Sequence, residues 1–180
     1  MKPIPDLESI FANFSPGAVR MSEAGKKVAE ATRQRAAVYA HLFKVLRERL
    51  GEAQAVALMS EAIRAHGKEK SAKGYSAAAR SGDLRQAARE FASPDAVKQF
   101  QFAPRILSAS EVEAVIAMSR CPLVDQWAEM ELSPEDVATL CRIARAVDFG
   151  TWEGALGFSL AFEGTRGDGK DECVLRVRKK

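Results

Sequence analysis

Apolar residues recur every three or four positions through the first half of the chain, which is the period of amphipathic helices. Gly51 and Gly67 follow two of these stripes and are expected to end the helices before them. Asp83 precedes a further stripe and is placed to cap its N-terminus. The pattern predicts helices over residues 22–50, 52–66, 70–81 and 83–92.

The second half changes to an alternation of apolar and polar positions, which is typical of strands. Strands are predicted over residues 97–107, 111–120, 156–162 and 173–177. Pro104 lies inside the first of them, so we expect that strand at a sheet edge. Two helices are predicted between the second and third strands, over residues 122–130 and 133–148. Ser133 and Pro134 form the start of the second helix, and Gly150 is expected to stop it.

Together these elements predict an α+β fold. A helical N-terminal half would pack on a small four-stranded antiparallel sheet that is interrupted by the helix pair. The segment Gly167-Asp168-Gly169 does not join a strand to a helix, so it is not a phosphate-binding loop. We expect one domain over residues 1–180, with an irregular arm over 1–20, a helical part over 21–95, and the sheet with its helix pair over 96–180.

Composition and charge exclude several classes of function. Of the 180 residues, 47% are apolar and 28% are charged, which is typical of a globular protein. The net charge of +3 is too small and too evenly spread to favour nucleic acid as a partner. The sequence contains neither an apolar run of membrane-spanning length nor a signal-peptide core, so we expect no membrane association and a cytoplasmic location. The three cysteines are expected to be reduced.

Cys121 occupies an unusual place for a cysteine, the cap position of the helix that Pro122 opens. Ser, Thr, Asp or Asn would stabilise a helix better at that position. A thiol there faces unpaired N–H groups and the positive end of the helix dipole, with Arg120 beside it. Such surroundings lower the pKa of a thiol and make a reactive thiolate. The alternative is a small buried side chain at the end of a strand.

Asp148 is the second unusual residue, because it lies in the last predicted turn of its helix, at the negative end of the helix dipole. It follows Cys141 by two helical turns, so the two side chains should share an inward face. A carboxylate on an apolar face is either paired or a candidate acid or base with a raised pKa. The alternative is an aspartate that reaches solvent at a frayed helix end.

The same residues carry a family resemblance. The chain from Cys121 onward resembles the L-2-amino-thiazoline-4-carboxylic acid hydrolase family. The matching features are Cys121-Pro122-Leu123, Cys141, Asp148, the strand Phe158-Ser-Leu160-Ala-Phe162, the loop Gly167-Asp168-Gly169, and Cys173 in the last strand. The helical N-terminal half is similar to the family in general shape only.

The resemblance implies a hydrolase that opens a cyclic C=N bond, flanked by sulfur, in a small carboxylate substrate. Such a reaction needs a nucleophile or an activated water, a proton for the leaving atom, and a cation for the carboxylate. Cys121 or Asp148 could supply the attack, with assistance from Cys141 or Cys173. The substrate-binding candidates are Arg120, Trp127, Arg145 and Cys173, with Arg142 as a further cation. No cofactor is predicted, although a metal bound by Cys121, Cys141, Cys173 or Asp148 is an option that the residue types allow.

Two readings from other classes of protein stay open. The first is a non-catalytic domain with a thiol-lined pocket that binds a small molecule or senses a metal or redox state. The second is an interaction domain that uses the long helix over residues 22–50. That helix carries more apolar surface than a small sheet can cover, so we also expect that the chain can form a homodimer.

Overall fold

The structure, a computed structural model, describes residues 23–180, so the predicted arm over residues 1–20 lies outside the described residues. The helices predicted over residues 22–50 and 83–92 are confirmed, whereas the predicted end at Gly67 is wrong. The second helix continues to Gly74, and the helix predicted over 70–81 is reduced to residues 77–80. The helices of this part are α1 (Glu23–Leu50), α2 (Glu52–Gly74), α3 (Ala77–Arg80), α4 (Leu84–Phe91) and α5 (Ala96–Phe102). Asp83 caps α4 as predicted, because its carboxylate accepts a hydrogen bond from the Gln86 amide.

The C-terminal half contains the predicted four-stranded antiparallel sheet. Its strands are β1 (Pro104–Ala109), β2 (Glu113–Met118), β3 (Ser159–Gly164) and β4 (Cys173–Arg178). The spatial order is β1-β2-β4-β3, which places β1 and its Pro104 at an edge, as expected. Ile116 on β2 pairs with Leu175 on β4, so the two central strands contribute buried side chains from the middle of the sheet.

Between β2 and β3 the chain forms α6 (Pro122–Glu129), α7 (Pro134–Ala144), the short α8 (Ala146–Phe149) and a π-helical turn over Gly150–Ala155. Ser133 caps α7 as predicted, with its hydroxyl accepting from the Asp136 amide. Gly150 does not stop the helical path, contrary to the sequence prediction. It is buried instead at a close crossing with α2, where a Cβ would overlap the Arg64 carbonyl. Gly67 fits against Val147 for the same reason.

The predicted strand over residues 97–107 is wrong in its first half. Residues 96–102 form α5, which begins because the Asp95 side chain accepts a hydrogen bond from the Lys98 amide. The helix ends where Ala103 adopts a left-handed conformation, with φ of 44°. Phe100 and Phe102 alternate with a polar residue as in a strand, but the helix cap at Asp95 determines the structure of this segment.

Two clusters of buried apolar residues form the core. One joins α4 to the sheet around Trp152, Phe158 and Leu175. The other joins α1 and α2 to the helix pair around Phe43, Trp127 and Leu140. These clusters hold the helical half against the sheet and leave a cavity that residues of both clusters line.

One side of α1 keeps apolar side chains in solvent. Val38, Leu42 and Val45, spaced one turn apart, are 60%, 46% and 44% exposed. The homodimer and the use of this helix as an interaction surface stay predictions. None of the helices in the described part of the chain has the length and apolar character needed to cross a membrane.

Candidate functional site

A cavity of about 380 Å³ lies between the two core clusters. Its apolar lining includes Tyr39, Phe91, Phe102 and Leu123. A volume of this size suits a small organic molecule. The residues singled out in the sequence line this one cavity with the exception of Arg142, namely Arg120, Cys121, Trp127, Cys141, Arg145, Asp148 and Cys173.

The three cysteines meet on one side of the cavity, although they lie on three different elements. Cys121 precedes α6, Cys141 lies on α7, and Cys173 begins β4. All three are free thiols. Together with Thr165, which the loop after β3 supplies, they form what we call the thiol wall.

Cys121 holds the cap position of α6, as predicted, but its side chain makes no capping hydrogen bond. Burial raises the pKa of the Cys121 thiol to about 12, and the nearby amides of Val124 and Leu123 lower it only in part. Burial likewise raises the pKa of the Cys173 thiol to about 11. The direction for Cys121 is opposite to the one expected from its place at a helix N-terminus, because burial outweighs the amides.

The rest of the thiol wall is tightly hydrogen-bonded. The Cys141 thiol donates to the Thr165 hydroxyl at 3.4 Å, and that hydroxyl donates to Asp168 at 2.6 Å. The Arg166 amide donates to the Cys173 sulfur at 3.3 Å. Gly167 packs so closely on Cys141 that a Cβ there would overlap the cysteine side chain. This arrangement holds Cys141 in a packed contact with its thiol bonded to Thr165.

A second group of residues that line the cavity, which we call the charged wall, consists of Asp148, Lys98, Lys70 and Tyr75. Asp148 is half-buried, and its carboxylate makes no hydrogen bond or ion pair with the described residues. Burial raises the pKa of Asp148 to about 7, against the opposing charges of Lys98 and Lys70. Burial also raises the pKa of the Tyr75 phenol, with smaller effects from Asp148 and Glu90.

Asp148 and Cys141 line the same cavity as expected, but one continuous helix does not carry both. The helix α7 ends at Ala144, and Asp148 belongs to α8. Asp148 is therefore followed by further helical turns and does not lie at a frayed end in solvent.

The other predicted binding residues differ in whether their polar groups already have partners within the protein. The Trp127 indole donates to the Ala36 carbonyl at 2.8 Å and is fully buried, so it fixes α6 against α1. Arg120 is exposed and donates to the Phe100 carbonyl at 3.3 Å. The Arg145 guanidinium lies 5.3 Å from the centre of the Phe162 ring. Arg142 is exposed, bonds to Thr139, and does not line the cavity.

Sequence reasoning missed three polar residues of the cavity, Lys98, Lys70 and Tyr75. Lys98 lies on the helix that the sequence presented as a strand. Tyr75 caps the C-terminus of α2, which extends past its predicted end. Asp95 is a residue type that often caps a helix N-terminus. That signal in the sequence would have placed Lys98 in the first turn of a helix and not in a strand.

Within residues 23–180, no group of three or more His, Cys, Asp or Glu side chains is arranged as a metal site. The thiols and Asp148 therefore line the cavity without forming a ligand set in this structure.

Residues 31–177 match the family described as L-2-amino-thiazoline-4-carboxylic acid hydrolase. The chain belongs to this family. The resemblance that Cys121, Cys141, Asp148 and Cys173 carry thus extends over the helical half as well. No curated protein matches the chain.

Among solved structures, this member of the hydrolase family is similar to a trafficking protein particle complex subunit 3 from Naegleria fowleri, which was crystallised covalently bound to palmitic acid. The two chains are 18% identical with a TM-score of 0.56, over 83% of this chain and 95% of that one. At this identity the likeness shows a shared fold alone.

Proposed function

We propose that the protein is a hydrolase that opens the ring C=N bond of a small cyclic carboxylate, such as a 2-amino-thiazoline-4-carboxylate, within the cavity. Family membership supports the reaction class. The observation that carries the proposal is Asp148, a carboxyl group with a pKa near neutrality that faces the cavity without a partner among the described residues.

Asp148 fits both proton transfers of such a reaction. As a carboxylate it removes a proton from water while the water oxygen bonds to the carbon of the C=N group. The tetrahedral carbon then forms its carbonyl as its bond to the ring nitrogen breaks. The first proton passes from Asp148 to the ring nitrogen, and the hydroxyl proton of the tetrahedral carbon then follows through the same carboxylate, so that the nitrogen leaves as an amine with both protons of the water. One water is consumed, and Asp148 returns to its starting state.

The state of the thiols favours this route over attack by cysteine. A thiol with a pKa of about 12 contains very little thiolate near neutral pH, so Cys121 is a weak nucleophile in the free protein. Cys141 is held as a donor to Thr165. The cysteines then shape the cavity beside the reacting carbon.

Turnover of 2-amino-thiazoline-4-carboxylate, followed by mass spectrometry of the ring-opened product, tests the proposal. We expect Asp148→Asn to lose at least about 100-fold in kcat/KM, which is typical for loss of a general base. Asp136→Asn is the matched control, because Asp136 pairs with Arg47 and lies outside the cavity. Cys121→Ala should retain activity within about tenfold.

Either of two results would overturn the hydrolase proposal. One is a folded wild-type protein that turns over neither this compound nor related cyclic isothioureas. The other is full activity in Asp148→Asn, which would leave the reaction without its proton carrier.

A non-catalytic binding domain is the second candidate function. Thiols with raised pKa and an apolar lining are what a binding pocket needs, whereas an enzyme with a cysteine nucleophile needs a thiolate. The Naegleria subunit of the same fold holds palmitic acid covalently, so a fatty acyl group is one ligand to try. Intact mass spectrometry after incubation with palmitoyl-coenzyme A, together with stoichiometric binding in the absence of turnover, would favour this candidate.

A further inference from the structure

Lys98 is a half-buried cation with most of its hydrogen-bonding capacity unused. Its ammonium lies 4.8 Å from the centre of the Phe91 ring and makes one long hydrogen bond, 3.4 Å, to the Glu90 carbonyl. An ammonium group has three donors, so two remain for another partner. Lys98 and Phe91 both line the cavity.

Lys98 and Asp148 line the same cavity and carry opposite charges when ionised. Each charge affects the other: Asp148 raises the pKa of Lys98, whereas Lys98 lowers that of Asp148. The two groups nevertheless form no ion pair in the described part of the chain, and Asp95 is a further opposite charge that raises the pKa of Lys98. Burial is the largest cause that lowers the pKa of Lys98, and Lys70 adds to it with a like charge.

The partly buried Lys98 ammonium beside Phe91 is unfavourable until an anion joins it, and the exposed Lys70 adds a like charge. The arginines predicted from the sequence make contacts of the same kind as Lys98, so their relation to Asp148 is what separates them from it. Arg120 is exposed and engaged with the Phe100 carbonyl, and Arg145 lies against the Phe162 ring. Only Lys98 and Lys70, among the cations of the cavity, are near enough to Asp148 to affect its pKa.

We propose that Lys98, assisted by Lys70, binds the carboxylate of the ligand while Asp148 binds its amidine-like end. The opposite charges of Lys98 and Asp148 in one cavity then select small zwitterions, which carry an amidinium-like group and a carboxylate at opposite ends of one ring. This assignment rests on the proposed function, because it names the part of the same site that recognises the substrate.

Equilibrium binding separates this assignment from the reaction itself. The probe is 2-aminothiazole-4-carboxylate, whose aromatic ring resists water addition, compared with its carboxamide by calorimetry on the whole chain. We expect the wild-type protein to prefer the carboxylate by at least about tenfold, as a charged hydrogen bond supplies. Lys98→Met should abolish that preference, because Met keeps an unbranched stem beside Phe91 but has no charge.

Lys44→Met is the matched control, because Lys44 is exposed on α1 and does not line the cavity, and it should keep the preference for the carboxylate. Urea unfolding of each variant shows whether a change in binding comes from loss of the fold. A Lys98→Met protein that is folded and still prefers the carboxylate overturns the assignment, as does a wild-type protein without any preference. A preference that depends on Lys98, found in a protein without turnover, would leave this assignment intact and refute the hydrolase instead. Turnover with a KM that does not change in Lys98→Met would support the hydrolase and refute the assignment of Lys98.

Discussion

The two walls of the cavity differ in whether their polar groups have partners. On the thiol wall, Cys141, Thr165 and Asp168 form a chain of hydrogen bonds, and Cys173 accepts from a backbone amide. On the charged wall, Asp148 makes no hydrogen bond to the described residues, and Lys98 makes one long one. The thiol wall is also the more deeply buried of the two, because Cys141, Cys173 and Thr165 are buried whereas Asp148 and Lys98 are half-buried.

The contrast indicates which wall holds the fold and which wall can bind. A buried polar group whose hydrogen bonds are made within the protein has few donors or acceptors left for a ligand. Removing such a group lowers the free energy of unfolding. A buried charge without a partner is costly in the free protein, and a ligand of opposite charge removes that cost. The cysteines attract attention in the sequence, yet in the structure Asp148 and Lys98 are the groups free to act.

The largest expected effect is on the thiol wall, where Gly167 packs on Cys141. In Gly167→Ala the new Cβ would overlap the Cβ and sulfur of Cys141, both buried. We expect the free energy of unfolding to fall by about 3 kcal/mol or more. Gly164→Ala is the control, because its Cβ would meet only the flexible Lys170 side chain at 3.2 Å. Urea unfolding measures both, and equal stability of the two variants would show that the loop is not fixed on α7.

Thiol reactivity gives the next largest effect. At about pH 8, iodoacetamide should modify Cys121 at least about 100-fold more slowly in the folded protein than in urea, because burial raises its pKa to about 12. Mass spectrometry of each cysteine against pH gives the rates. Rapid modification of folded Cys121 with an apparent pKa below about 8.5 would instead restore the thiolate predicted from the sequence. A rate that rises only when a chelator is added would indicate a bound metal.

Local signals account for the parts of the fold that the sequence predicted correctly. Asp83 and Ser133 cap their helices, and Pro104 lies on an edge strand, because each effect depends on a few neighbouring residues. The predicted ends at Gly67 and Gly150 failed because these glycines allow two helices to approach closely, a contact between residues far apart in sequence. Periodicity carries no information about such contacts.

The candidate site divides in the same way. Asp148 and Cys121 were detectable because each conflicts with the local preferences of a helix end. Lys98 conflicts with nothing local, and its importance comes from Phe91 and Asp148, which other elements bring to it. The pKa of Cys121 was misjudged because the helix terminus is visible in the sequence, whereas the burial that outweighs it is not.

The smallest expected effect is a dependence of stability on pH that comes from the charged wall. The pKa of Asp148 is about 7 in the folded protein and near 3.8 in the unfolded chain, so the folded state binds the proton more tightly. The stabilisation from this group is complete below about pH 4 and is lost as the pH rises through 7. Between about pH 5 and pH 8 the wild-type protein should lose about 2 kcal/mol more than Asp148→Asn, which has no proton to release. Part of the shift is discounted because the carboxylate faces the open cavity.

Urea unfolding of both proteins at the two pH values gives this difference. Parallel pH profiles would show that Asp148 is solvated in the free protein, which would remove the contrast between the walls and with it the argument for Asp148 as the proton carrier.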